Sequence, residues 1–128
     1  MSEGGCLCGR VRFRVSGEPL AVNCCHCHDC QRLSGSAFAI NATFPPERVE
    51  IVAGAPTMKE GVARCGECEI LLWATNKHTG ELRYVRVGTL DDAVAFVPDT
   101  HYFVARKHPW VVIPPGVKQY DELPSGEA

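Results

Sequence analysis

The chain has no surplus of positive charge: 13 Lys and Arg stand against 15 Asp and Glu, for a formal net charge of −2. Without a basic excess to neutralise phosphates, nucleic acid is not a favoured partner. Long apolar runs are also missing. The longest are far too short to span a bilayer, so no membrane partner is expected. The opening Met1-Ser2-Glu3-Gly4-Gly5-Cys6 carries no basic stretch followed by an apolar one. It reads as having no signal peptide, and a cytoplasmic location is the expectation. No repeat, low-complexity block or interdomain linker is visible. Charged residues make up only 22% and hydrophobic residues 45%, which excludes wholesale disorder and leaves material for a core. At 128 residues the chain fits one domain, expected over 1–120, with a flexible tail over 121–128.

Cysteine is what the chain has in excess: eight, in three tight clusters. Cys6 and Cys8 open the chain, Cys24, Cys25, Cys27 and Cys30 follow, and Cys65 and Cys68 close the set. Cytosolic thiols are kept reduced, so such clusters point to metal rather than disulfides. Zinc takes four ligands at tetrahedral corners, and two cysteines one or two residues apart chelate it together. Cys6/Cys8 and Cys65/Cys68, from distant parts of the chain, suit a closed structural site. Gly66 eases the turn between the second pair.

The middle cluster leaves two possibilities. Cys25, Cys27 and Cys30 can wrap one metal, while Cys24 on an extended strand points the opposite way from Cys25. Three ligands would leave an open position, the mark of catalytic zinc. Alternatively Cys24, His26 or His28 closes the site. His26 and His28 alternate with the cysteines, and on polarity alone are expected to face solvent. With seven thiolates on two zinc ions the chain becomes more acidic still.

Around the clusters the pattern is mainly β with little helix. Val11, Phe13 and Val15 alternate with Arg10, Arg12 and Arg14, as in a half-buried strand whose arginines form the solvated face. Strands are also expected over 20–24, over 49–52, over 94–97 and over 101–105. In a further strand Phe38, Ile40, Ala42 and Phe44 share one face, and Pro45-Pro46 stops it. The runs 69–75 and 82–89 read as a hairpin around the turn at 76–80. A short helix is expected from His28 to Leu33, ended by Ser34-Gly35. Trp73, Phe103 and Trp110 are expected in the core.

Several motifs resemble one family in both order and type. They are Gly4-Gly5-Cys6-Leu7-Cys8-Gly9-Arg10-Val11-Arg12-Phe13, Cys25-His26-Cys27-His28-Asp29-Cys30-Gln31-Arg32-Leu33-Ser34-Gly35, and the pair Cys65/Cys68. Gly88-Thr89-Leu90-Asp91-Asp92, His101-Tyr102-Phe103-Val104 and Trp110 are later landmarks. The chain so resembles the glutathione-dependent formaldehyde-activating enzyme and centromere protein V family.

The resemblance implies an antiparallel β-tent-like zinc-binding domain with two zinc ions per chain. Cys6, Cys8, Cys65 and Cys68 would hold a structural zinc, and Cys25, Cys27 and Cys30 a catalytic one with an open position. It further implies carbon–sulfur lyase chemistry on a thiol adduct such as S-hydroxymethylglutathione, with glutathione as the small-molecule thiol. His26, His28, Arg32, Asp91 and His101 are candidates to surround the zinc or touch substrate. Asp91-Asp92 also reads simply as a turn. The alternative function is a non-catalytic zinc module that binds a protein partner. Where the family usually has Phe before the third motif and Gly after it, this chain has Arg64 and Glu69.

Overall fold

The computed structural model describes residues 1–75 and 80–123. The centre of the expected hairpin turn, 76–79, and the end of the expected tail, 124–128, lie outside the described residues. The chain forms two compact units: Met1–Leu20 with Ala42–Phe96, and Ala21–Asn41 with Val97–Ala128.

The first unit opens with a three-stranded antiparallel sheet of β1 (Ser2–Gly5), β2 (Arg12–Val15) and a partner β5 (Val49–Ala53), with β2 central. The alternation in β2 works as expected. Val11, Phe13 and Val15 are buried, while Arg12 and Arg14 lie on the other face. Arg14 sits opposite Glu3 in the register and bonds its carboxylate at 3.1 Å, a cross-strand pair of opposite charge.

The same unit carries an antiparallel meander of β6 (Thr57–Lys59), β7 (Val62–Arg64), β8 (Leu71–Thr75) and β9 (Arg83–Arg86). The Phe13 ring meets Trp73 of β8 edge-to-face, with centroids 5.5 Å apart. Phe13 is fully buried. Phe13→Ala is expected to cost about 3–5 kcal/mol. A urea melt should show a lower midpoint with an unchanged slope.

The second unit holds β3 (Ala21–Cys25), α1 (His28–Ser34), β10 (Thr100–Tyr102) and β11 (Lys118–Gln119). β10 lies between β3 and β11 and is parallel to both, so the mainly antiparallel fold has a parallel edge. β3 and β10 are far apart in sequence, as parallel pairing requires. α1 ends where Gly35 takes the left-handed conformation, φ 63, and returns its N–H to Gln31 O. β4 (Ala39–Phe44) has its residues divided between the two units.

The structure corrects several expectations. The stretch 94–97 is not a strand. Ala93–Ala95 forms a 3-10 turn, and Val94 and Val97 are 89% and 73% exposed. Pro98 follows at once and cannot donate to a ladder. The strand expected over 101–105 stops at Tyr102, because Phe103 adopts φ 57 and starts the 3-10 turn Val104–Arg106. The run 82–89 likewise splits into β9 and the 3-10 turn Val87–Thr89. In β4 both faces are covered: Asn41 and Thr43 are buried as well as Ala42 and Phe44. Trp73 belongs to the core, but Trp110 is 72% exposed and stacks only on His108. β1, β6 and β7 were not anticipated.

Candidate metal centres

The four-cysteine cluster lies within the first unit. Cys6 and Cys8 sit in the turn between β1 and β2, and Cys65 and Cys68 in the turn between β7 and β8. Their four sulfurs lie within 4.8 Å of one another. The Cys6–Cys8 and Cys8–Cys65 separations are 3.6 and 3.7 Å. A tetrahedron with metal–sulfur bonds of about 2.3 Å has edges of about 3.8 Å, so the arrangement fits zinc. It does not fit disulfides, whose sulfurs lie about 2.05 Å apart, and all eight cysteines are free.

The two turns share one logic. Each starts by closing a backbone ring: Cys6 N–H bonds Val11 O, and Cys65 N–H bonds Ile70 O. Amides in the turns then aim at the sulfurs. Val11 N–H donates to Cys6 Sγ and Glu67 N–H to Cys65 Sγ. The amides of Arg10 and Ile70 serve Cys8 and Cys68. Donors aimed at sulfur favour the thiolate that a metal needs.

The thiols also show why a cation belongs there. Burial opposes ionisation of Cys6, but the Val11 amide and the thiols of Cys65, Cys8 and Cys68 outweigh it and lower its pKa to about 6. At Cys8 the Arg10 amide favours the thiolate, yet burial and the same sulfur neighbours push the pKa up to about 11. One thiolate is stabilised by its neighbours only while they keep their protons.

The second cluster lies within the second unit. Cys25 ends β3, Cys27 caps α1, and Cys30 stands in the first helical turn. Their sulfurs also lie within 4.8 Å of one another, with Cys25 and Cys27 3.4 Å apart. Cys27 Sγ accepts the Cys30 N–H at 3.3 Å, so one side chain both caps the helix and faces the site. Burial raises the pKa of Cys27. At Cys30 the hydrogen bond with Cys25 and then burial raise it strongly. Three thiols this close cannot all ionise without a positive partner, and the donor set fits a thiophilic ion such as zinc.

Cys24 is not gathered with these sulfurs. It is 2% exposed, and burial followed by the neighbouring Cys25 pushes its pKa up to about 12. His26 is fully buried, contrary to the expectation that it faces solvent. Alternation along the extended segment explains both. Cys24 and His26 point inward, while Cys25 and Cys27 point to the site.

The His26 ring lies 5.1 Å from Phe38 and shares a 2.9 Å hydrogen bond, Nε2 to Nδ1, with His101. Its own Nδ1 has no partner, and its N–H donates to Tyr102 O. Burial, then the charges of His101, Lys107 and His108, lower its pKa to about 4. Burial also lowers that of His101. The pair is therefore neutral near pH 7. Gln31, which sequence reasoning did not single out for a role, donates to His26 O at 2.8 Å and to Arg106 O at 3.2 Å.

The remaining candidates lie elsewhere. His28 and Arg32 are exposed and line a cavity of about 320 Å³ with Gln31, Gly35 and Ser36. At about 100° per residue these helical positions share a face, and Cys30 lies across the helix from them. Asp91 belongs to the first unit, where both its carboxylate oxygens accept from the Arg12 guanidinium. That contact holds its pKa below the usual carboxylate range. Lone-residue chemistry could not have placed Asp91. The charge opposite it on β2 was the available signal.

The family profile described as glutathione-dependent formaldehyde-activating enzyme matches residues 1–106. A protein of Halomonas elongata, provisionally named a glutathione-dependent formaldehyde-activating enzyme, is 29% identical over 126 residues, covering 87% of this chain and 80% of that one. A crystal structure of a Rhodobacter sphaeroides protein shares the fold, with a TM-score of 0.59 at 22% identity over 92% of this chain and 98% of the other. No helix among the described residues is long and apolar enough to cross a membrane. With both cysteine clusters inside the matched residues, the chain belongs to the glutathione-dependent formaldehyde-activating enzyme family.

Proposed function

We propose that this protein is a zinc-dependent enzyme that joins a thiol to formaldehyde, or splits the adduct, with glutathione as the thiol. One observation carries this reading. Three sulfurs converge at Cys25, Cys27 and Cys30, and among the described residues no fourth Cys, His, Asp or Glu joins them. The family description and the name of the Halomonas relative support the choice of glutathione and formaldehyde.

When bound there, zinc would supply a positive centre that favours a substrate thiolate near neutral pH or polarises an aldehyde oxygen. Three thiolates against a dication leave a formal charge of −1, which weakens polarisation and favours sulfur exchange. As the carbon–sulfur bond forms, the thiol proton passes to the aldehyde oxygen; cleavage returns it. The residues of this chain hold the geometry. Cys27 fixes the start of α1, Gln31 ties that helix to His26 O and Arg106 O, and the neutral His26–His101 pair anchors the segment between the ligands.

Metal analysis should find two zinc ions per chain, one for each cluster. In cobalt-substituted protein, added glutathione should change the spectrum of the three-cysteine site alone. Adduct formation must exceed the spontaneous reaction of glutathione with formaldehyde. Cobalt with four protein ligands and no response to thiol would sink the enzyme reading and favour a zinc module that binds a protein partner.

A further inference from the structure

The first unit holds a cavity of about 410 Å³ lined by Thr57, Lys59, Arg64, Cys65, Gly66 and Glu69. The β6–β7 register explains its lining. Thr57 pairs with Arg64, and Thr57 and Lys59 are two residues apart, so all three side chains project from one face of the hairpin. The turn that carries Cys65 supplies the rest. Gly66 approaches the Thr57 hydroxyl so closely that an added Cβ would lie 3.0 Å from it.

Glu69 is the unusual member. It holds φ 62, in the left-handed region that favours glycine. Its N–H closes the turn on Cys65 O, which fixes that conformation. A strained backbone that presents a carboxylate beside a cavity is an outlier from which function can be argued. Neither Lys59 nor Arg64 forms an ion pair with it, so both signs of charge line the cavity without neutralising each other. A simple anion would meet the Glu69 carboxylate, and a simple cation would meet Lys59 and Arg64. Only a ligand carrying both charges matches the lining. Arg64 and Glu69 are also the two positions at which the sequence departs from its family's motif.

We propose that this cavity binds a zwitterionic amino acid or short peptide, its carboxylate on Lys59 and Arg64 and its ammonium on Glu69. The reading does not depend on chemistry at Cys25, Cys27 and Cys30, which lie in the other unit. The test is an amide NMR titration of the zinc-loaded chain with trialanine, beside its N-acetylated and C-amidated forms. Trialanine should shift the amides of Thr57, Lys59, Arg64 and Glu69, and blocking either end should weaken binding about tenfold or more. Glu69→Gly should lose the preference for the free ammonium while melting at a higher temperature, because glycine suits that backbone. Arg64→Gln should lose the preference for the free carboxylate. Shifts confined to other residues, equal binding of a blocked peptide, or wild-type affinity in Glu69→Gly would each overturn the proposal.

Discussion

Replacing Cys65 with serine is expected to abolish cooperative folding of the first unit and to release its metal. Cys65 is 1% exposed, accepts the Glu67 amide, and lies 3.7 Å from Cys8, 57 positions earlier in the chain. The four-cysteine cluster thus ties the turn before β2 to the turn before β8. Structural zinc contributes about 10–16 kcal/mol in small domains, as much as or more than the roughly 5–15 kcal/mol by which folded domains are stable. A serine oxygen is a poor substitute for a thiolate here, and it would leave a buried hydroxyl among sulfurs placed for a metal. Far-UV circular dichroism against temperature, with zinc measured on the same sample, gives the readout. Chelation of the wild-type protein should produce the same loss. Cys24→Ala is the control. It removes a buried thiol that joins neither cluster, so two zinc ions per chain and a cooperative melt should persist. A Cys65→Ser protein that melts like wild type would show that this cluster does not hold the fold.

The clusters were legible because metal chelation is largely local. One or two residues between cysteines set the bite of each pair, and no distant contact is needed to see it. Strand β2 was legible for the same reason, since Val11, Phe13 and Val15 alternate with arginines whichever strands flank them. What depended on distant partners was not legible. β1, β6 and β7 read Ser-Glu-Gly-Gly, Thr-Met-Lys and Val-Ala-Arg, with too few apolar residues to announce a strand; pairing makes them strands. Val94 and Val97 show the converse, an apolar run that finds no neighbour. His26 is the most instructive case. Its alternation with the cysteines was visible, and it correctly sets His26 apart from Cys25 and Cys27. Polarity suggested solvent on that side. Phe38 and His101, 12 and 75 positions away, supply instead a buried surface and a hydrogen-bond partner.

The same contrast between local and distant roles makes Cys27→Ser the sharper experiment on function. This variant is expected to lose all turnover above the spontaneous reaction while keeping its fold. Cys27 is half-buried and caps α1, its sulfur accepting the Cys30 amide at 3.3 Å. Serine is among the best N-cap residues, so its hydroxyl can take over that bond and leave the helix start intact. The pairing of β10 with β3 and the His26–His101 contact do not involve the Cys27 side chain. What serine removes is one soft thiolate of three, and with it the ion that the reaction needs. Zinc content should fall from two per chain to one, and the melt should stay within a few degrees of wild type. Turnover equal to wild type would refute the assignment of this site, and global unfolding would recast the three cysteines as a second structural clamp. Set beside Cys65→Ser, the pair of variants separates the two clusters by consequence. One sulfur holds strands together across the sequence, and the other sits in a helix cap that another oxygen or sulfur can satisfy, so its thiolate is free for chemistry.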